Sequence, residues 1–350
     1  MFRKKGKLMV SVLLLISMLA LVLVGCGGGD TDGPASNGAE TETPGGADGE
    51  KIVLKLGHIN PETGNYHQFA VAFKELVEEK TDGQVEIDIY PAGQLGFDRE
   101  LLESLQFNNL DLTISTTSPI ANFVEEFMAL DFPFIFDDWD HVMNFIESEE
   151  CFELMNEGAD VNLIGLGMLA RGFRSTTNSK QPLKSAADFQ GLKMRVIESP
   201  IYIQAFEALG ANTTAMSWGE VFTALQQGTI EAVELDYRTL YDERVYEVQD
   251  YLTATEHIFA FAALMASKDI FDGLPADVQQ VLKESAVEAS VEVSKLQIPI
   301  IEEYVEKLQD EGMEFNEIDR AELGELMGPV REWFTDQYGD KYLKAIEATK

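Results

Sequence analysis

Residues 185–235 alternate two periodicities with stop signals between them, and that alternation leaves few folds open. Ser185 with Asp188 three residues on is a capping-box start, and Gly191 ends the short helix. Leu192, Met194 and Val196 then alternate with Lys193, Arg195 and Ile197, the period of two expected of a strand. Ser199-Pro200 sets an N-cap with proline at the first helical position, and Gly210 closes that helix. Residues 211–216 read as extended. Ser217 and Glu220 make a second capping box, and Gln227 and Gly228 end its helix. A further strand is expected over 230–235. The order β-α-β-α-β, with crossovers long enough for parallel pairing, makes this an α/β domain. Ligands of such sheets sit beyond the carboxyl ends of the strands, where Arg195 and the turn Glu234-Leu235-Asp236 fall.

Three of the eight arginines that follow residue 25 lie between 171 and 195: Arg171, Arg174 and Arg195. A guanidinium presents five donors in a planar fork that fits a carboxylate bidentately. A functional Arg195 would therefore grip an organic acid, whereas a solvated strand arginine or a structural ion pair would look the same in sequence. The chain carries a formal charge of −35, or −39 without Arg3, Lys4, Lys5 and Lys7. A surface that negative repels phosphate backbones, which argues against nucleic acid as a partner. It repels small anions too, so capture of an acid requires a local cationic pocket.

Little else in the chain suggests chemistry. After Cys26 only Cys151 remains, so no intrachain disulfide is available, and its apolar setting reads as packing. His58, His67, His141 and His257 show no metal-ligand spacing, and neither a nucleophile elbow nor a phosphate-cradling glycine loop occurs. The expectation is no enzyme, no cofactor and no metal.

At the amino end, Arg3, Lys4, Lys5 and Lys7 precede an uncharged apolar run over 8–24 that leads into Gly25-Cys26. This is the pattern of a lipoprotein signal peptide over 1–25, with Cys26 as the lipidated first residue of the mature chain. The run is also near the minimum for a membrane span, and either anchor puts the remainder on the same side. Residues 26–50 read as a flexible acidic linker. About 300 residues follow, enough for two α/β lobes. A strand at 53–56 ends at Gly57-His58, an amphipathic helix spans 68–80, and Val85, Ile87 and Ile89 mark the next strand. Leu110, Leu112 and Ile114 run into Ser115-Thr-Thr-Ser118-Pro119, whose hydroxyls either meet a polar ligand or build a turn. The phenylalanines of 127–136 read as core, and Gly165-Leu-Gly167 as a strand and turn. Pro275 opens a long helix that Pro299 interrupts, and a second segment runs to Glu311 before Gly312.

Gly191-Leu-Lys-Met-Arg-Val196, Ala208-Leu-Gly-Ala-Asn212, Met216-Ser-Trp-Gly-Glu-Val-Phe-Thr-Ala-Leu-Gln-Gln-Gly228 and Tyr246-Glu-Val-Gln-Asp-Tyr-Leu252 closely resemble the signature of TRAP-transporter substrate-binding proteins, the DctP-like family. Leu56-Gly-His58, Tyr90-Pro-Ala-Gly-Gln-Leu-Gly96 and Asp131-Phe-Pro-Phe-Ile-Phe136 extend the likeness in order along the chain. The resemblance implies a two-lobe, type II-like periplasmic-binding-protein fold with a long kinked helix spanning both lobes. Lobe I would comprise 51–171 plus 261–297, and lobe II 172–260 plus 298–350, with crossings near 171–173 and 259–262. The implied function is an extracytoplasmic receptor, anchored to the cell membrane through Cys26. It would bind a small organic acid in the interlobe cleft and deliver it to a TRAP-type membrane permease. A solute-binding lipoprotein of an ABC importer, or a ligand-presenting partner of a sensor kinase, would share the same binding lobe.

By the same resemblance Arg195 forms the main salt bridge to the ligand carboxylate, Arg174 a supporting cationic contact and Trp218 an aromatic wall. His58 and Thr116, at strand ends, complete the candidate contacts from the first lobe. The chain also departs from the family pattern. Family members often carry Glu-Asn-Pro where this chain has Glu234-Leu235-Asp236, so Leu235 lacks the donor that assists the carboxylate grip. Many relatives have valine then proline where this chain has Val196-Ile197. Glu234 and Asp236 are the acidic candidates of the turn. Asp236 could accept from a hydroxyl or an amine, which points toward a hydroxy, keto or amino acid.

Overall fold

The computed structural model describes residues 51–350; the signal peptide expected at 1–25, lipidation of Cys26 and the linker at 26–50 lie outside the described residues. The sheet contains β1 (Ile52–His58), β2 (Val85–Tyr90), β3 (Leu112–Thr116), β4 (Leu163–Asn178), β5 (Lys193–Val196), β6 (Asn212–Ala215), β7 (Ala232–Asp236), β8 (Tyr251–Ser267) and β9 (Glu314–Glu317). In space the order is β2-β1-β3-β8-β4-β7-β5-β6, with β9 beside β8. One end is parallel, β1 flanked by β2 and β3. The other end is parallel as well, β5 flanked by β6 and β7, which realises the β-α-β-α-β order of the sequence. These ends are the sheets of the two lobes. They are joined by β4 and β8, antiparallel partners 16 and 17 residues long.

The pairing of β4 with β8 is irregular where it runs from one lobe to the other. Its register shifts between Ala170 and Gly172 and again between Arg174 and Thr176. Gly172 has φ 150° and Glu256 has φ 42°, conformations that let the two strands bend out of the regular ladder. Gly172 pairs with Ala260 and Phe173 with Phe259, so the segments around 171–173 and 259–262 lie side by side. Arg171 and Arg174 flank this bend.

Local signals account for most of the helices. The Ser185–Asp188 capping box is present, and Pro200 occupies the first turn of the helix Pro200–Ala208. The box expected at Ser217 is not formed. The helix Trp218–Gln226 does begin after Ser217, and Glu220 N bonds to Ser217 O at 3.2 Å, but the Ser217 hydroxyl makes no cap bond.

Packing explains the kinked helix. Leu282, Ala286 and Ala289 of the helix Ala276–Gln297 join the core built on Leu54, Leu56, Phe69 and Phe73 in the first lobe. Leu308 of the helix Ile301–Asp310 joins Val221, Leu225, Val233 and Leu240 in the second. Pro299 lies in the three-residue turn Ile298–Ile300 between them, so one interrupted helix spans both lobes. The Phe-rich segment is core: Phe127, Phe132 and Phe136 are buried, packed with Phe259, Phe261 and Phe334. The last helix, Lys341–Glu347, rests on this segment's side of the molecule, where Ile346 O lies 2.8 Å from His141 Nε2. Among the described residues no helix is long and apolar enough to cross a membrane.

Candidate functional site

A cavity of about 90 Å³ lies between the lobes. Its wall draws Asn60, Tyr66, Asp98 and Thr116 from the first lobe and Arg195, Met216, Trp218 and Leu235 from the second, with Arg171 and Arg174 at the bend of β4. The sequence cluster of three arginines thus converges on one space. Their electrostatic states differ, and that difference defines the site.

Arg171 and Arg174 are committed to carboxylates. Arg171 Nη2 donates to Asp236 Oδ2 at 2.8 Å and to Thr239 Oγ1 at 2.7 Å, while Nη1 donates to Tyr66 OH at 3.0 Å. It therefore ties the first-lobe helix Asn65–Lys80 to the end of β7. Arg174 grips Glu234 through Nε to Oε2 and through Nη2 to Oε1 at 2.9 Å, with a third bond from Nη2 to Glu234 O at 2.7 Å. Burial works against ionisation of Glu234, but Arg174 outweighs it and holds the carboxyl at about 2. His257 Nε2 lies 3.3 Å from Glu234 Oε2 without forming a hydrogen bond to it. Burial depresses the His257 pKa.

Arg195 is different. It is 4% exposed, and its hydrogen bonds among the described residues both go to Met216 O, from Nε at 3.0 Å and Nη2 at 2.8 Å. The Trp218 ring stands 5.8 Å from its guanidinium carbon. No ion pair among the described residues includes it. Burial pushes its pKa down to about 10; Glu234 partly offsets this, and neighbouring Arg174 adds to it. A buried cation without a counter-ion is costly, and an anion in the cavity relieves that cost.

Of the candidates from the sequence, Arg195, Arg174, Trp218, Leu235 and Thr116 lie together on the wall. Thr116 Oγ1 donates to Phe261 O at 3.1 Å. Three other placements need correction. Glu234 is fully buried behind Arg174 and off the wall. Asp236 is also off the wall: it caps the helix Tyr237–Asp242 by accepting from Thr239 N at 2.9 Å and pairs with Arg171, so both oxygens are engaged. His58 points away into the first lobe, with Nε2 3.2 Å from His67 Nδ1, and burial drives its pKa to about 4.

Sequence reading missed Asp98, Tyr66 and Asn60. Asp98 is 8% exposed at the first turn of the helix Asp98–Gln106, where an acidic residue reads as ordinary helix chemistry. It accepts from Ser115 Oγ at 2.7 Å, and burial raises its pKa to about 6. Tyr66 and Asn60 carry no local signal. Arg171 stood in the arginine cluster but was placed at a crossing rather than on the wall. The assembled surface offers Arg195 as a cation outside any ion pair among the described residues, the carboxylates of Asp98 and Glu198, and an apolar flank of Ile59, Ile197 and Leu235.

Comparison with known proteins identifies the family. The DctP family, described as bacterial extracellular solute-binding protein, family 7, matches residues 56–337. A solute-binding protein from Verminephrobacter eiseniae (strain EF01-2) is 33% identical over 293 residues, 82% of this chain and 86% of the relative. The 2,3-diketo-L-gulonate-binding periplasmic protein YiaO of Escherichia coli (strain K12) is 30% identical, over 84% of this chain and 91% of its own. Among solved structures, a TRAP periplasmic solute binding protein from Polaromonas sp. JS666 bound to D-erythronate superposes with a TM-score of 0.82. It is 30% identical, covering 86% of this chain and 99% of that one. A TRAP periplasmic solute binding protein from Shewanella oneidensis with bound succinate gives a TM-score of 0.81 at 29% identity, over 85% of this chain and 99% of that one. The chain belongs to the DctP family of bacterial extracellular solute-binding proteins.

Proposed function

We propose that this chain is an extracytoplasmic receptor that closes over a small hydroxy acid and presents it to a TRAP-type permease. The observation that carries the reading is Arg195: a buried guanidinium on a cavity wall, bound to a carbonyl and paired with no described carboxylate. Arg171 with Asp236 and Arg174 with Glu234 form two balanced pairs, which leaves Arg195 as the guanidinium open to a ligand carboxylate. Asp98, on the wall from the other lobe, is an acceptor for a hydroxyl. The same Asp98 disfavours a second ligand carboxylate, and Leu235 offers that group no donor. The relatives' D-erythronate and succinate therefore serve as contrasting probes. Delivery to the permease, lipidation at Cys26 and lobes dividing at 171/172, 260/261 and 297/298 belong to the same proposal. No reaction is assigned to the chain.

Titration calorimetry tests it. D-erythronate should bind more tightly than succinate. Stranding one partner of a buried charged pair costs about 2–5 kcal/mol, so Arg195→Ala should raise the Kd for D-erythronate roughly thirtyfold to several-thousandfold. An unchanged Kd in Arg195→Ala removes Arg195 as the anchor, and tighter binding of succinate removes the hydroxy-acid assignment.

A further inference from the structure

Phe97 and Gly219 meet across the cleft mouth, outside the cavity that takes the acid. Phe97 is the N-cap of the first-lobe helix Asp98–Gln106. Gly219 lies in the first turn of the second-lobe helix Trp218–Gln226. A Cβ on Gly219 would stand 2.5 Å from Phe97 Cζ and 2.8 Å from Cε2, so the ring rests where any other side chain would begin. The ring is backed by its own loop. A Cβ on Gly93 would stand 3.7 Å from Phe97 Cζ, and the loop is held by Gly93 N to His58 O at 3.0 Å and Ala92 N to Asn60 O at 2.8 Å. Phe97 N is fixed in turn by Glu100 Oε2 at 3.1 Å. The surrounding groove, about 330 Å³, has Ile59 and Pro61 on one side and Val221, Phe222 and Leu225 on the other, with the carboxyl-bearing Glu243 among its lining.

We propose that Phe97 and Gly219 form a ligand-independent apolar latch that holds the cleft closed and positions the binding groups. Chain adjacency supplies the coupling. Asp98, next to Phe97, and Trp218, next to Gly219, both line the cavity, and Trp218 stands over Arg195. Seating the ring on the glycine therefore brings the Asp98 wall to the Arg195 wall. Phe97 and Gly219 are positioning residues: neither lines the acid cavity, and both set how often that cavity is complete. A binding-competent form that is only partly populated lowers apparent affinity by its population. The effect on affinity rests on the receptor reading; the latch itself does not.

Disulfide trapping tests the latch without any ligand. Asn122 Nδ2 donates to Glu198 O at 2.7 Å across the mouth, so the pair Asn122→Cys/Glu198→Cys reports closure by its rate of oxidation. Cys151 is buried and does not compete, and Cys26 is replaced by serine in every variant. An aromatic contact of one or two kcal/mol corresponds to about a fivefold to thirtyfold change in population, so Phe97→Ala should slow trapping by that factor. Gly219→Ala should slow it as well, because its methyl displaces the ring. Combining the two should be no slower than Phe97→Ala alone, the signature of residues acting through one contact. Melting temperatures of the variants check that each is folded. Unchanged trapping in Phe97→Ala, losses that multiply in the double variant, or no trapping in the otherwise unaltered background would each overturn the proposal.

Discussion

Arg171, Arg174 and Arg195 share one sequence cluster, yet the first two end in buried ion pairs and the third does not. What separates them is long-range: Asp236 and Glu234 lie about 60 residues away along the chain and reach the arginines only through pairing of β4 with β7, in which Arg174 stands opposite Asp236. The convergence of the cluster could therefore be read from spacing and family likeness, but the assignment of its counter-ions could not. Asp131 illustrates a different kind of hidden residue. It is 1% exposed, has one oxygen without a partner, and receives only a 3.4 Å bond from Tyr202 OH. Burial raises its pKa to about 7, against the pull of Arg174. A carboxyl whose folded pKa is raised binds more protons folded than unfolded, so its penalty on stability grows as pH rises from about 4 to about 7. His58 and His257, both depressed, act with the opposite sign over part of that range, so wild type alone does not isolate the effect. Asp131→Asn should gain in melting temperature relative to wild type as pH rises from 5 to 8, by several degrees. A difference that stays flat across those pH values would show that the carboxyl is ionised in both states or in neither.

Helices and short strands were the legible elements, because their stop signals are local. The helix expected over 68–80 begins only three residues earlier, at Asn65. The long strands were not legible. Gly165-Leu-Gly167 reads as a strand and turn, yet both glycines lie inside β4. They are there for packing: a Cβ on Gly167 would stand 2.6 Å from Ala286 O and one on Gly165 2.2 Å from Met155 Cε. The helix Ala276–Gln297 lies so close to β4 that Ser294 Oγ accepts from Ala170 N at 2.9 Å. The clash at Gly167 is with backbone, which cannot rotate away, so Gly167→Ala must push helix and strand apart. Overpacking of this kind costs about 1–3 kcal/mol. The melting temperature should fall by roughly 2–10 °C, with the denaturant midpoint lowered and its slope kept. A variant as stable as wild type would mean that the helix slides along the strand without loss.

At the scale of the whole molecule the site belongs to neither lobe. The second lobe's contribution was foreseeable from its β-α-β-α-β grammar, whereas Tyr66, Asn60 and Asp98 come from a lobe whose sequence marks none of them. What the sequence does carry globally is charge. The chain as a whole carries a formal −35 while Arg195 is buried, so an incoming acid meets repulsion first and attraction only within the cleft. The Debye length falls from about 30 Å at 0.01 M to about 8 Å at 0.15 M. Salt therefore screens the long-range repulsion strongly, while a buried contact is screened much less. Association of D-erythronate should accordingly speed up as ionic strength rises over that range, and dissociation should change little, which stopped-flow tryptophan fluorescence can follow. This is the reverse of the usual behaviour of a receptor that steers an oppositely charged ligand. A rate that falls with added salt would mean that the local field of Arg195, Arg174 and Arg171 extends beyond the mouth and governs encounter despite the charge of the molecule around it.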